Sequence, residues 1–169
     1  MTATRTARML TRYNRWANEL IFAAVAALPA GEATRPRATL FRSMVHTLNH
    51  NYVIDRIFQA HLEKREHGYT ARNTAEAPPL EELERAQRSL DDWYVDWSDA
   101  IVPAALDERL EFSFIGGGHG AMTRGEMLLH IVNHTSYHRG FVADMFYQVP
   151  ARPPVTDLTV FLRDGCPPL

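Results

Sequence analysis

The chain has one cysteine, no apolar run long enough to span a bilayer, no internal repeat, no low-complexity segment and no strong excess of either charge. The lone Cys166, beside Pro167 and Pro168 near the C-terminus, excludes an intramolecular disulfide and points to a reducing, cytoplasmic setting. Without a run of about 20 apolar residues, a soluble protein with no membrane partner is expected. A formal net charge of −2 leaves no general electrostatic footprint for nucleic acid, so none is expected as a partner, although Arg5, Arg8, Arg12 and Arg15 make the N-terminal segment locally basic. Those arginines precede the apolar run Leu20 to Leu28 and so imitate an export signal. The imitation is rejected because Leu10, Tyr13, Trp16 or Ala17, Leu20 or Ile21 and Ala24 continue one helical stripe through them, and Glu19 interrupts the junction.

What is present is an ordinary globular composition, 46% hydrophobic and 22% charged over 169 residues, enough for one core and read as a single domain over residues 1–169. A first helix is expected from about Thr4 to Leu28, stopped by Pro29 and Gly31, and a second from about Ala38 to His67, with Gly68 as its C-terminal cap. A polar loop, Tyr69 to Ala77, leads to a third helix that opens at Pro78 and Pro79 and ends at Pro103. Leu110, Phe112 and Phe114 alternate with polar residues as a short extended segment, followed by a glycine-rich turn from Gly116 to Gly120. Thr123 and Glu126 have capping-box spacing and start a fourth helix that runs to about Gln148. Four amphipathic helices bury their stripes most simply as an all-α four-helix bundle. The long connection from Ile101 to Met122 leaves room for a crossover, and Leu158, Val160, Phe161 and Leu162 suit a short C-terminal helix that docks on the bundle.

The chemistry lies in the histidines. His134 and His138 fall on the stripe Met127, Ile131, His134, His138, Phe141, Met145, where periodicity calls for core residues. Residues four apart on a helix differ by about 40° in direction and about 6 Å along the axis, so both imidazoles can reach one ion. A third ligand should come from a facing helix, and the second helix offers His46 and His50 at the same spacing; either could complete the set. The competing reading is that a histidine on an apolar face is a hydrogen-bonded core residue, and four-residue spacings arise by chance among eight histidines, as His130/His134 illustrates. His130 diverges in direction from His138 by about 80° and reads as flanking, while His61, His67 and His119 read as solvated.

Thr47-Leu48-Asn49-His50 followed by Asp55-Arg56-Ile57, and Asn133-His134-Thr135-Ser136-Tyr137-His138-Arg139-Gly140, resemble the two motifs of the DinB/YfiT-like family of candidate metalloenzymes. Tyr13-Asn14-Arg15-Trp16-Ala17-Asn18 is similar to that family's first-helix signature, and Asp157-Leu158 through Phe161-Leu162-Arg163 to its C-terminal segment, so the resemblance spans nearly the whole chain. It implies an up-down-down-up four-helix bundle, commonly a homodimer, that binds a divalent metal through His50, His134 and His138, selecting His50 over His46. His46, Asn49, Asp55, Asn133 and Arg139 become candidates for supporting the ligands or lining the pocket, and Trp16 for lining it. The structural alternative is that Asp55 or Arg56 with Arg139 forms interhelical polar contacts.

Three neutral imidazoles leave coordination positions open to water or a small-molecule substrate, as in catalytic rather than closed structural zinc sites. Such a set suits zinc or nickel first, with iron, copper and manganese also compatible. The resemblance further implies a metal-dependent S-transferase or detoxification enzyme acting with a low-molecular-weight thiol as co-substrate. A metal-dependent hydrolase and a non-catalytic metal-binding stress-response protein are the alternatives. The hydrolase is weakened because no Glu follows a ligand as in His-Glu-x-x-His.

Overall fold

Four long helices carry the fold, seen in a computed structural model that describes residues 2–168. Helix α1 (Ala3–Ala26) begins where Thr2 Oγ1 accepts from the Arg5 amide at 3.3 Å. Helix α2 (Met44–Leu62) is capped by Ser43, whose Oγ accepts from the His46 amide at 3.1 Å. Helix α3 (Leu80–Ala100) follows Pro79 and carries Glu81 and Glu82 in its first turn, where the helix dipole favours them. The anticipated capping box closes between β-hairpin and last helix: Thr123 Oγ1 accepts from the Glu126 amide at 3.1 Å and Glu126 Oε2 accepts from the Thr123 amide at 2.7 Å, starting α5 (Arg124–Phe146).

Side-chain pairings fix the directions. Along α1 and α3, Arg12 meets Asp99, Thr11 meets Ser98 and Asn18 meets Asp91, so these helices run antiparallel. Along α2 and α5, His50 meets His134, Asp55 meets Thr135 and the Leu62 carbonyl meets Arg124, again antiparallel. In the core, Ala7 and Ala17 share a cluster with Leu128 and Val132, and Ile21 and Val25 share another with Val142 and Met145, which makes α1 and α5 parallel. Helices α2 and α3 are therefore parallel too, and the order is up-down-down-up.

That order is the one the resemblance implies, while two expectations read from the residues alone are corrected. The second helix is shorter than Ala38 to His67 because Arg42, at φ +67°, breaks the chain before Ser43, and Lys64, at φ +57°, turns it before Gly68 is reached. The crossover is the segment 63–79, because two parallel helices in succession require the chain to travel back along the bundle. This return segment runs beside α2 from His67, whose ring lies 5.4 Å from that of His61, past Arg72 at His50 and Asn73 at the His46 carbonyl, to Ala77 at the cluster holding Val45.

The connection from Ile101 to Met122 needs no crossover, since α3 ends and α5 begins at the same end of the bundle. It holds α4 (Pro103–Leu106), in which Pro103 starts a short helix rather than only ending α3, and an antiparallel hairpin of β1 (Arg109–Ser113) and β2 (His119–Thr123). The second strand was not expected, because it begins inside the glycine-rich turn. Gly116, Gly117 and Gly118 take φ of +94°, +99° and +92°, which L side chains rarely adopt, and Gly120 sits opposite Phe112, where a Cβ would come within 2.7 Å of the ring. The C-terminal helix docks as anticipated: α6 (Leu158–Val160) continues into a π-helical turn, Phe161–Gly165, and Phe161 packs on Tyr13 and Trp16 at ring distances of 5.8 and 5.5 Å. Among the described residues no helix is long and apolar enough to cross a membrane.

Candidate metal centre

The structure brings His50 of α2 together with His134 and His138 of α5. One ring nitrogen from each lies within 4.8 Å of the others, and His50 Nε2 stands 3.1 Å from His134 Nε2. That spacing is near the roughly 3.4 Å expected of two nitrogens each about 2.05 Å from a common tetrahedral ion.

His50 is held by the return segment. Its Nδ1 lies 2.6 Å from the Arg72 carbonyl oxygen, which can only accept, so Nδ1 carries the proton and Nε2 presents a lone pair toward His134. His134 must then either donate from Nε2, leaving its buried Nδ1 an acceptor without a donor, or turn a second lone pair on His50. Each costs free energy for imidazoles alone, and a shared cation removes the confrontation of lone pairs. Among the described residues Nδ1 of His134 and of His138 find no hydrogen-bond partner. Burial, aided by His138, His50 and His130, pushes His134 down to about 3, and burial with His50 pushes His138 down to about 4. His50 is lowered by burial, against the raising effect of its bond to Arg72. All three are thus neutral near pH 7, the state a metal requires. The residues present fit a divalent cation.

Above the histidines opens a cleft of about 790 Å³ between α2, α5, the hairpin and the segment before α2. Phe41, in the stretch expected to be helical, instead stacks on His50 at 4.2 Å between rings and meets His138 edge-on at 5.4 Å. His130 flanks the site, as its angle on the helix predicts, 5.6 Å from the His134 ring and 4.5 Å from that of Phe58. His61, expected to be solvated, is half-buried in the cleft between Phe58 and Phe112, and burial lowers it to about 4. No periodicity marks it, because it faces the hairpin rather than another long helix.

The supporting candidates separate into three places. Asn49 is buried and donates to Asn73 and, at 2.6 Å, to Thr74, while Asn73 donates to the His46 carbonyl at 3.0 Å; together they anchor the segment that presents the Arg72 carbonyl. His46 contributes this main-chain oxygen and does not line the cleft. Asp55 and Arg139 lie in the bundle core. Gln87 donates to both Asp55 and Asp91 at 3.1 Å, Asn18 donates to Asp91, and Arg139 donates to Asn14 and Asn18 at 2.7 and 2.8 Å. Both make interhelical polar contacts, but with other partners: Asp55 accepts from Gln87 and Thr135, Arg56 donates to Gln59, and among the described residues neither is bonded to Arg139, as the alternative would have it. Asn133 is exposed, and Trp16 lies away from the cleft, packed on Phe161.

Comparison with known proteins agrees with this picture. A family model described as the DinB family matches residues 1–165. The protein named Protein DinB from Bacillus subtilis (strain 168) is 28% identical over 159 residues, covering 90% of this chain and 91% of the relative.

Proposed function

The chain belongs to the DinB family, and from that premise we propose that it is a metal-dependent enzyme that transfers a low-molecular-weight thiol to an electrophilic small molecule. The observation that carries this reading is the placement of His50, His134 and His138 with their nitrogens within 4.8 Å at the wall of an open cleft. A divalent cation, zinc or nickel first, would be held by these three side chains and would favour ionisation of a thiol brought to it. His50 is kept in the ligating tautomer by the Arg72 carbonyl, and Phe41 shields its face from water. The cleft beyond leaves room for the acceptor, which disfavours a purely structural site, where protein groups would close the coordination sphere. Hydrolysis is second because, among the described residues, no carboxylate lines the cleft to take a proton from water. Cytoplasmic location and a homodimer belong to the same reading, and sedimentation velocity tests the latter.

The test is metal analysis of protein purified without an affinity tag, then turnover of an electrophile with several thiols, with and without added metal. Metal-dependent transfer that is lost in His138→Ala is expected; undiminished activity in that variant would sink the mechanism.

A further inference from the structure

The cleft has a chemical character of its own. From His134 a continuous wall of rings leads outward through His130, Phe58, Phe112 and Phe114, with successive centroids 5.6, 4.5, 6.0 and 5.0 Å apart. The rim is apolar as well, with Leu40 68%, Tyr137 63% and Phe114 52% exposed. Among the described residues no carboxylate lines the cleft, and Arg72 is the one arginine or lysine on it. A volume of about 790 Å³ exceeds what a small hydrophilic thiol would fill.

We infer that the cleft binds a neutral ligand with an elongated apolar body, an alkyl or aryl chain lying along the ring wall with its polar end at the histidines. The inference rests on the proposed function only for calling the histidine end the reacting end. An apolar body removes the rim side chains and the ring wall from water, the main source of affinity in such a cleft. A cationic ligand would find no counter-charge, and would meet both Arg72 and any cation held by the histidines. Phe112 on β1 and Phe114 just after it ride on the hairpin, so specificity for the length of the body is set by the hairpin.

The probes are butan-1-ol, hexan-1-ol and octan-1-ol, with octyltrimethylammonium as the cationic control, titrated into the full chain and followed by NMR shifts of the cleft residues. Affinity should rise about fourfold per methylene, roughly sixteenfold from hexan-1-ol to octan-1-ol. Phe114→Asp should weaken octan-1-ol at least tenfold, and Leu40→Asp should do so from outside the hairpin. Both sites are exposed, so the variants should fold. Affinity independent of chain length, octan-1-ol binding unchanged in both variants, or octyltrimethylammonium binding as tightly as octan-1-ol would each overturn the inference. A protein that shows the ladder but binds no zinc retires the thiol chemistry and keeps the apolar ligand. A protein that binds zinc and shows no ladder does the reverse.

Discussion

His50 and Arg72 meet through a 2.6 Å hydrogen bond in which the imidazole donates to a main-chain carbonyl, and that carbonyl belongs to the return segment rather than to a helix. The segment is fastened two ways, by Asn73 to the His46 carbonyl and by Asn49 to Asn73 and Thr74. Loss of a group that orients a ligating histidine lowers metal affinity about 10- to 100-fold. Asn73→Ala acts one step removed, so zinc affinity measured by chelator competition should fall about tenfold, with the fold retained by circular dichroism. Wild-type affinity in this variant would show that the segment does not position His50.

Proton competition should be unusually weak. An ordinary histidine set loses metal as pH falls through about 6.5. Here His134 and His138 are lowered to about 3 and 4 and His50 is lowered too, so affinity should hold as pH falls from 8 through about 6.5 and be lost only below it. Zinc titrations across this range check it; a steep loss centred near pH 6.5 would contradict the burial of the site.

The core acids give a second pH signature, of opposite sign. Burial raises Asp91 to about 7 and raises Asp55 well above its usual range, so the folded chain holds protons that the unfolded chain releases. Stability from Asp91 is therefore fully present below about pH 3.8 and is lost as pH rises through about 7. The lowered histidines act the other way, losing stability as pH falls from about 6.5, so total stability blurs the two. The difference between wild type and Asp91→Asn isolates the acid. Measured by urea unfolding, wild type should lose ground to the variant as pH rises from 4 to 7, and the difference should then level off.

Arg139 is the cation in this buried network, bonded to Asn14, Asn18 and Ser136 and stacked over Tyr13 at 5.5 Å. Removing this donor leaves the Asn14, Asn18 and Ser136 oxygens short of a partner, at about 1–3 kcal/mol for each buried group. Arg139→Met should cost about 3 kcal/mol in urea at pH 7. The loss should shrink at pH 5, where the acids hold their protons.

The tail should prove integral to the bundle. Phe161 is 1% exposed between Tyr13 and Trp16, and burying a Phe in this way is worth about 3–5 kcal/mol against Ala. Phe161→Ala should lower stability by about 3 kcal/mol in guanidinium unfolding; a change under about 1 kcal/mol would mean the tail is not docked in solution.

Much of this was legible in the chain. Helices α1 and α3 each bury one stripe, so periodicity located them within a few residues, and the Thr123–Glu126 pair marked the start of α5. Helical spacing nominated His134 and His138, but the choice of His50 over His46 came from the motif, since both lie on α2 one turn apart and only packing separates them. Periodicity overextends the ends of α2 because that helix is buried on nearly all sides and offers no polar face whose end marks a boundary. The acid network was hidden because Asn18, Gln87 and Asp91 look like solvent-facing residues until α1 and α3 are placed against α2. The place of the crossover follows from the order the resemblance implies and not from the residues, because a polar loop carries no periodicity, and its contribution to the site is a carbonyl that every residue owns.

Position 72 needs no particular side chain to hold His50, so almost any residue there would keep the bond. What the site stores instead is a count: the number of residues between Glu63 and Pro79 that brings one carbonyl level with one imidazole. A single-residue deletion in that stretch would shift the register of the acceptor by over 3 Å, while many substitutions in it would pass unnoticed.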